Sequence, residues 1–222
     1  MKLNKKVIVR KLYNETSQFY ETRYNKAQLE KYETISPFLL DYLISFLNAY
    51  KIKRTYKKVL KIVDVGCGTG LFFNYFDKVI LSSLTKKLFP YSSAVDTVIK
   101  IKYIGIDFAK NMLNIALSKK GKLSRYFILA NAEELPLNDD FFDITVSFTV
   151  LQNLDNPSEM IHELVRITDT QGLIILSALK KNLNERFFRE NVVNAYNRII
   201  SSFKIFEIGT EDIGIVFRLS KS

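Results

Sequence analysis

The stretch Val63-Asp64-Val65-Gly66-Cys67-Gly68-Thr69-Gly70 constrains this chain more than any other. An apolar run from Val59 to Val65 leads into it and a helical pattern starts at about Leu71, so the glycines stand at a strand-to-helix turn. Three glycines at alternate positions leave no side chain between the backbone and a ligand, and the following helix presents its unpaired N–H groups there. A dinucleotide turn needs its third glycine one residue later, where this chain has Leu71, and Asp64 would repel pyrophosphate. The carboxylate suits a ligand with a positively charged end, such as the α-ammonium of an amino acid.

The rest of the pattern builds a sheet around that turn. Apolar runs predict strands at 59–65, 101–106, 125–130, 142–148, 172–179, 203–208 and 213–219, alternating with helices at 71–87, 109–119, 157–168 and 183–201. Strand and helix in turn imply an α/β fold, a doubly wound and mostly parallel sheet with helices on both faces. The last two strands are joined by Gly209-Thr210-Glu211-Asp212, short enough for an antiparallel hairpin. Residues 86–98 read as a short insertion, because the span from Gly70 to Ile101 exceeds what one crossover helix requires.

Ahead of this domain, 59–222, residues 1–58 read as an N-terminal helical cap on the substrate side. Helices are expected at 8–26 and from Glu30 to about Ala49, the second beginning or bending near Ser36 because of Pro37, with a basic linker from Lys51 to Lys58. The net charge of +10 is concentrated here, since residues 1–60 hold thirteen Lys and Arg against five acids. Lys2, Lys5, Lys6, Arg10 and Lys11 form one group and Lys51, Lys53, Arg54, Lys57 and Lys58 another, a possible nucleic-acid face or a solvated surface. One cysteine excludes an internal disulfide, no zinc spacing is present, and no metal site is expected. No signal-peptide core and no run of about 18 apolar residues is found, so a cytoplasmic location without a membrane span is the expectation.

Three further segments carry the chemistry. Strand two ends Gly105-Ile106-Asp107-Phe108-Ala109, strand three runs into Asn131-Ala132-Glu133-Glu134-Leu135-Pro136, and strand four runs through Phe148 and Thr149 to Leu151-Gln152-Asn153. In an open α/β sheet the ligand lies beyond these strand ends. Asp107 can accept two ribose hydroxyl protons, or cap the helix behind it.

Together with Asp64 to Gly70, these segments resemble the class I S-adenosylmethionine-dependent methyltransferases, of the type 11/25-like group, over roughly residues 59–180. The resemblance implies a Rossmann-like seven-stranded sheet with an antiparallel C-terminal hairpin and S-adenosyl-L-methionine as cofactor. It places Asp64, Gly66, Cys67, Gly68 and Gly70 along the amino-acid end, Asp107 and Phe108 at the ribose, and Asn131, Ala132 and Glu133 at the adenine. Phe148 then lines the methionine side, and Gln152 and Asn153 face the acceptor. The family usually has Asp where this chain has Asn131, which still accepts the adenine amino proton but without charge.

The segment Tyr13 to Tyr24 resembles the leading helix of related enzymes, where aromatic residues close over the cofactor. That likeness makes Tyr13 and Tyr20 a lid, with Tyr20 and Arg23 on the acceptor side. Cys67 matches a small residue common in this motif and packs near the cofactor, and His162 belongs to the helix surface. No general base stands out, and a sulfonium needs no proton on its leaving group. The acceptor is undetermined from the sequence, with RNA (tRNA) slightly favoured by the basic N-terminus and by a loose likeness of Tyr13 to Tyr24 to the leading segment of tRNA methyltransferases. Alternatives are a small molecule, by likeness to the ubiquinone/menaquinone group, or a non-catalytic binding partner that keeps the fold. Oligomeric state is not legible.

Overall fold

A computed structural model describes residues 5–53, 59–88 and 100–220. The expected insertion at 86–98 lies mostly outside these residues, as do Lys2, Arg54, Lys57 and Lys58 of the basic groups.

Seven strands form one sheet, β1 (Val59–Val65), β2 (Lys100–Asp107), β3 (Ser124–Leu129), β4 (Phe142–Phe148), β5 (Thr168–Leu179), β6 (Ile200–Ile208) and β7 (Asp212–Leu219). Their order is β3-β2-β1-β4-β5-β7-β6. The first five run parallel, while β7 pairs antiparallel with both β5 and β6. The chain therefore winds outward from β1 to β3, then returns to β4 on the other side of β1. That reversal opens a crevice beyond the carboxyl ends of β1 and β4.

Strand β1 is buried on both faces, as a central parallel strand must be. Its alternation sends Leu60 and Ile62 into one core cluster and Val63 and Val65 into the other. The first cluster is covered by the helix Tyr20–Lys53 and the helix after the glycine turn, the second by the helix at Pro157–Ile167 and the segment after β5.

The N-terminal helices differ from the expected pair. A helix α1 (Lys5–Thr16) is followed by one 3-10 turn, Ser17–Phe19, and then by a single helix α2 (Tyr20–Lys53) that runs through Pro37. Proline removes one backbone hydrogen bond there. The apolar stripe Tyr32, Ile35, Leu39, Leu43 and Leu47 is buried on the sheet, and its burial on both sides of Pro37 outweighs that loss. Helix also replaces the linker as far as Lys53. Near the other end, the expected helix 183–201 is reduced to Glu185–Phe188 and a π turn at Arg189–Asn194. Strand β6 begins already at Ile200, where pairing with Leu219 competes successfully with helix for a β-branched residue.

Candidate functional site

A cleft opens at the crevice beside β1, walled by strand ends on one side and by the N-terminal helices on the other. Gly66 and Gly68 line it, together with Asp107, Asn131, Phe148 and Asn153. The glycine turn is tied down by Gly66 and Cys67, whose N–H groups both donate to the carbonyl of Ile106, at 2.7 and 2.9 Å. Gly66 has φ +80°, and a Cβ there would sit 2.1 Å from Cγ2 of Val150. Only glycine meets both demands, so the turn can press against the strand-four loop. Cys67 is buried against Gly105, whose added Cβ would lie 2.9 Å from its Sγ. Burial pushes its thiol well above the ordinary value, so it is a packing residue and not a nucleophile.

Asp107 caps the helix behind it and also holds the glycine turn. Its Oδ1 accepts the N–H of Ala109 at 2.8 Å, at the start of the helix Lys110–Ser118, and its Oδ2 accepts the N–H of Gly68 at 2.9 Å. These bonds lock the carboxylate to the glycine turn at the cleft wall, and each oxygen keeps further acceptor capacity. Burial pushes its pKa up to about 6, against the backbone donors that lower it.

Asp64 lies deeper, 2% exposed, and does not line the main cleft. It faces an adjoining recess with Cys67, Thr69, Tyr20, Gln28 and Tyr32. The hydroxyl of Tyr103 donates to its Oδ2 at 2.6 Å, and burial pushes its pKa up to about 7. Two more polar groups in this recess are incomplete: Gln28 Oε1 and Thr69 Oγ1 are buried and find no hydrogen-bond partner among the described residues. A buried carboxylate without a cation and two orphaned oxygens match an amino-acid end, whose ammonium donates three hydrogen bonds. The chemistry of these residues fits the amino-acid end of S-adenosylmethionine, which Asp64, Gln28 and Thr69 would hold.

The opposite wall is made by α1. Lys5 Nζ donates to the carbonyls of Leu154 and Gln152, at 2.7 and 3.3 Å, and Lys6 pairs with Glu133 at 2.5 Å. Asn153 Nδ2 donates to the Tyr13 hydroxyl at 3.1 Å, and Asn14 bonds Asn111 twice. Helix α1 thus bridges the loops after β3 and β4 and the helix after β2, with none of its own residues buried. Tyr13 and Tyr20 line the cleft beneath it, their rings 6.3 Å apart.

Among the other residues singled out from the sequence, Phe108, Ala132 and Phe148 also line the cleft, while Gly70 and Cys67 do not. Glu133 turns away to pair with Lys6, and Arg23 is exposed on α2, outside the cleft lining. Gln152 bonds the carbonyl of Thr149 and does not line the cleft, whereas Asn153 does. Two residues escaped the sequence reading. Gln28 and Lys31 are 5% and 3% exposed; Lys31 Nζ donates to Thr149 Oγ1 at 2.5 Å and pairs with Asp212 at 2.8 Å. Thr149, at φ +60°, is thereby fixed at the edge of the cleft. The available signal was position: both residues continue the buried stripe of Tyr32, Ile35 and Leu39 one turn toward the N-terminus.

Comparison with known proteins agrees with this geometry. A methyltransferase-domain family matches residues 63–176, just over half of the chain. A malonyl-[acyl-carrier protein] O-methyltransferase of Buchnera aphidicola is 30% identical over 145 residues, covering 65% of this chain and 48% of the relative. A ubiquinone biosynthesis O-methyltransferase of Rickettsia bellii is 28% identical over 176 residues, covering 71% and 63%. The chain thus spans between about half and just under two thirds of these curated relatives. Magnesium protoporphyrin IX methyltransferase from Synechocystis, solved with bound S-adenosylmethionine, shares the fold across 99% of both chains, with a TM-score of 0.58 and 19% identity.

Proposed function

The chain belongs to the methyltransferase-domain family, and from that premise we propose that it methylates a small molecule held between the strand-four loop and the N-terminal helices. S-adenosylmethionine is the cofactor, supplying a methyl group activated on a sulfonium for in-line displacement with a neutral thioether as leaving group. The observation that carries the small-molecule reading is the roof over the cleft. Helix α1 reaches from Glu133 to Leu154, so an acceptor has to fit beneath Tyr13 and beside Asn153.

The chain's own residues then have separable tasks. Asp107 and the turn at Gly66 and Gly68 orient the nucleoside part, while Asp64, Gln28 and Thr69 orient the amino-acid end. Tyr13 and Tyr20, both held neutral by burial, exclude water from the space above. Lys31 fixes Thr149, and Asn153 offers hydrogen bonds to the acceptor. Asp107 is the one carboxyl group among the cleft-lining residues, and its oxygens are already engaged. An acceptor that gives up its own proton readily, such as a phenol or a carboxylic acid, suits a site with no free base. The relatives named for ubiquinone biosynthesis and for malonyl-acyl-carrier protein support an acceptor of this kind.

A second reading, tRNA, has the exposed cations Arg10, Lys11, Arg23 and Lys26 on the N-terminal helices in its favour. Incubation with radiolabelled S-adenosylmethionine separates the two, using a small-molecule extract and unmodified bulk tRNA in parallel. Label in the small-molecule fraction is expected; label in tRNA alone replaces the first reading by the second.

A further inference from the structure

The N-terminal helices expose large apolar side chains in the same stretch that carries exposed cations. Twelve large hydrophobic side chains stand exposed among the described residues, and six of them, Val7, Ile8, Leu12, Phe19, Tyr24 and Leu29, fall between positions 7 and 29. Ile8, Leu12 and Phe19 are 50%, 54% and 59% exposed. Ile8 and Leu12 are four residues apart and share one face of α1. On α1, therefore, Lys5, Lys6, Tyr13 and Asn14 hold the helix to the domain while Val7, Ile8 and Leu12 stay exposed.

Exposed cations accompany them. Arg10, Lys11, Arg23 and Lys26 are exposed in the same stretch, against the exposed acids Glu15 and Glu30. Cations alone would serve any polyanion, and aliphatic Val7, Ile8 and Leu12 give a phosphate backbone nothing to bind. Burial of such side chains at the boundary between headgroups and acyl chains, with Arg and Lys at the headgroups, uses both kinds of residue. We infer that this stretch of the N-terminal helices is a docking surface for an anionic lipid membrane. The inference goes beyond the methyl-transfer reading and stands independently of which acceptor is used. It also places the roof of the cleft at the membrane surface, where an apolar acceptor would be concentrated.

The test is co-sedimentation of the full chain with vesicles of phosphatidylcholine alone or with about 30% phosphatidylglycerol. The wild type should sediment with the anionic vesicles and not with the neutral ones. Ile8→Ser, Leu12→Ser and Phe19→Ser combined should lower the partition coefficient about tenfold or more. Arg10→Glu with Lys11→Glu should lower it as well. Titration of each variant with S-adenosylhomocysteine checks that the fold and cofactor site are intact, and keeps a failure of docking distinct from a failure of the methyltransferase reading. No sedimentation of the wild type, or unchanged sedimentation of the triple apolar variant, overturns the inference. So does loss of binding by charge reversal alone together with equal competition by tRNA, which would make the surface one for polyanions in general.

Discussion

On the sheet side of the cleft, Gly66 is held by a backbone hydrogen bond to β2 and by close packing that admits no added atom, and the N–H of Gly68 is held by the Asp107 carboxylate. On the helix side, α1 buries none of its residues and rests on side-chain bonds from Lys5, Lys6, Tyr13 and Asn14. The first wall is part of the core and can open only if the core does. The second is attached by bonds that each contribute about 1 kcal/mol and that water can replace. A cofactor pocket needs a fixed surface to orient its ligand, whereas an entrance must let ligand and product through. The two walls divide those demands between them.

The sharpest way to break this contrast is Gly66→Ala. Its Cβ would meet Val150 at 2.1 Å in a backbone conformation that L residues rarely adopt. Loss of about 3 kcal/mol or more of stability, and of measurable cofactor binding, is expected in thermal denaturation and calorimetry. A variant of wild-type stability would show that the turn is not clamped as described. Asp107→Ala comes next. Its two backbone donors lose their acceptor, and S-adenosylhomocysteine affinity should fall by about 1.5–3 kcal/mol.

Acidity sharpens the comparison further, because the buried carboxyls lie on the sheet side. Asp64 at about 7 and Asp107 at about 6 are raised above their unfolded value near 4. Groups raised on folding contribute stability that is fully present below about pH 4 and is lost as pH rises toward 7. The ligand's ammonium acts in the opposite sense, since it prefers ionised Asp64. Affinity for S-adenosylhomocysteine should therefore rise up to about tenfold between pH 6 and 8, with proton release on binding. Calorimetry in two buffers of different ionisation enthalpy measures that release, and Asp64→Asn should abolish most of it. The smallest effect belongs to the helix side. Tyr13→Phe removes the bond to Asn153 and should weaken cofactor binding by only about 0.5–1.5 kcal/mol. A loss as large as that of Asp107→Ala would erase the distinction between the walls.

What could be read from the sequence follows the same division. The glycine turn, Asp107, and the order of strands rest on local pattern: spacing of glycines, acids at strand ends, and apolar runs of strand length. These patterns are local, and the sheet and its C-terminal hairpin follow from them. The N-terminal side depends on contacts between distant residues. Glu133 stands beside Asn131 in sequence, yet it pairs with Lys6, and Arg23 shares a helix with Tyr20 yet is exposed outside the cleft lining. Pro37 marks a helix break by propensity, but burial on both sides of it keeps α2 continuous. Gln28 and Lys31 look like surface residues by type. Their place on the buried stripe, which the apolar pattern already outlined, identifies them as polar groups inside.

The central claim is that the recess at Asp64, Gln28 and Thr69 receives the amino-acid end of S-adenosylmethionine. Calorimetric titration with S-adenosylhomocysteine and with methylthioadenosine, which lacks that end, tests it most directly. The account predicts that S-adenosylhomocysteine binds at least about a hundredfold more tightly to the wild type, two or more charge-assisted hydrogen bonds' worth, with most of the difference gone in Asp64→Asn. Equal affinities for the two ligands, or a difference that survives in Asp64→Asn, would contradict it.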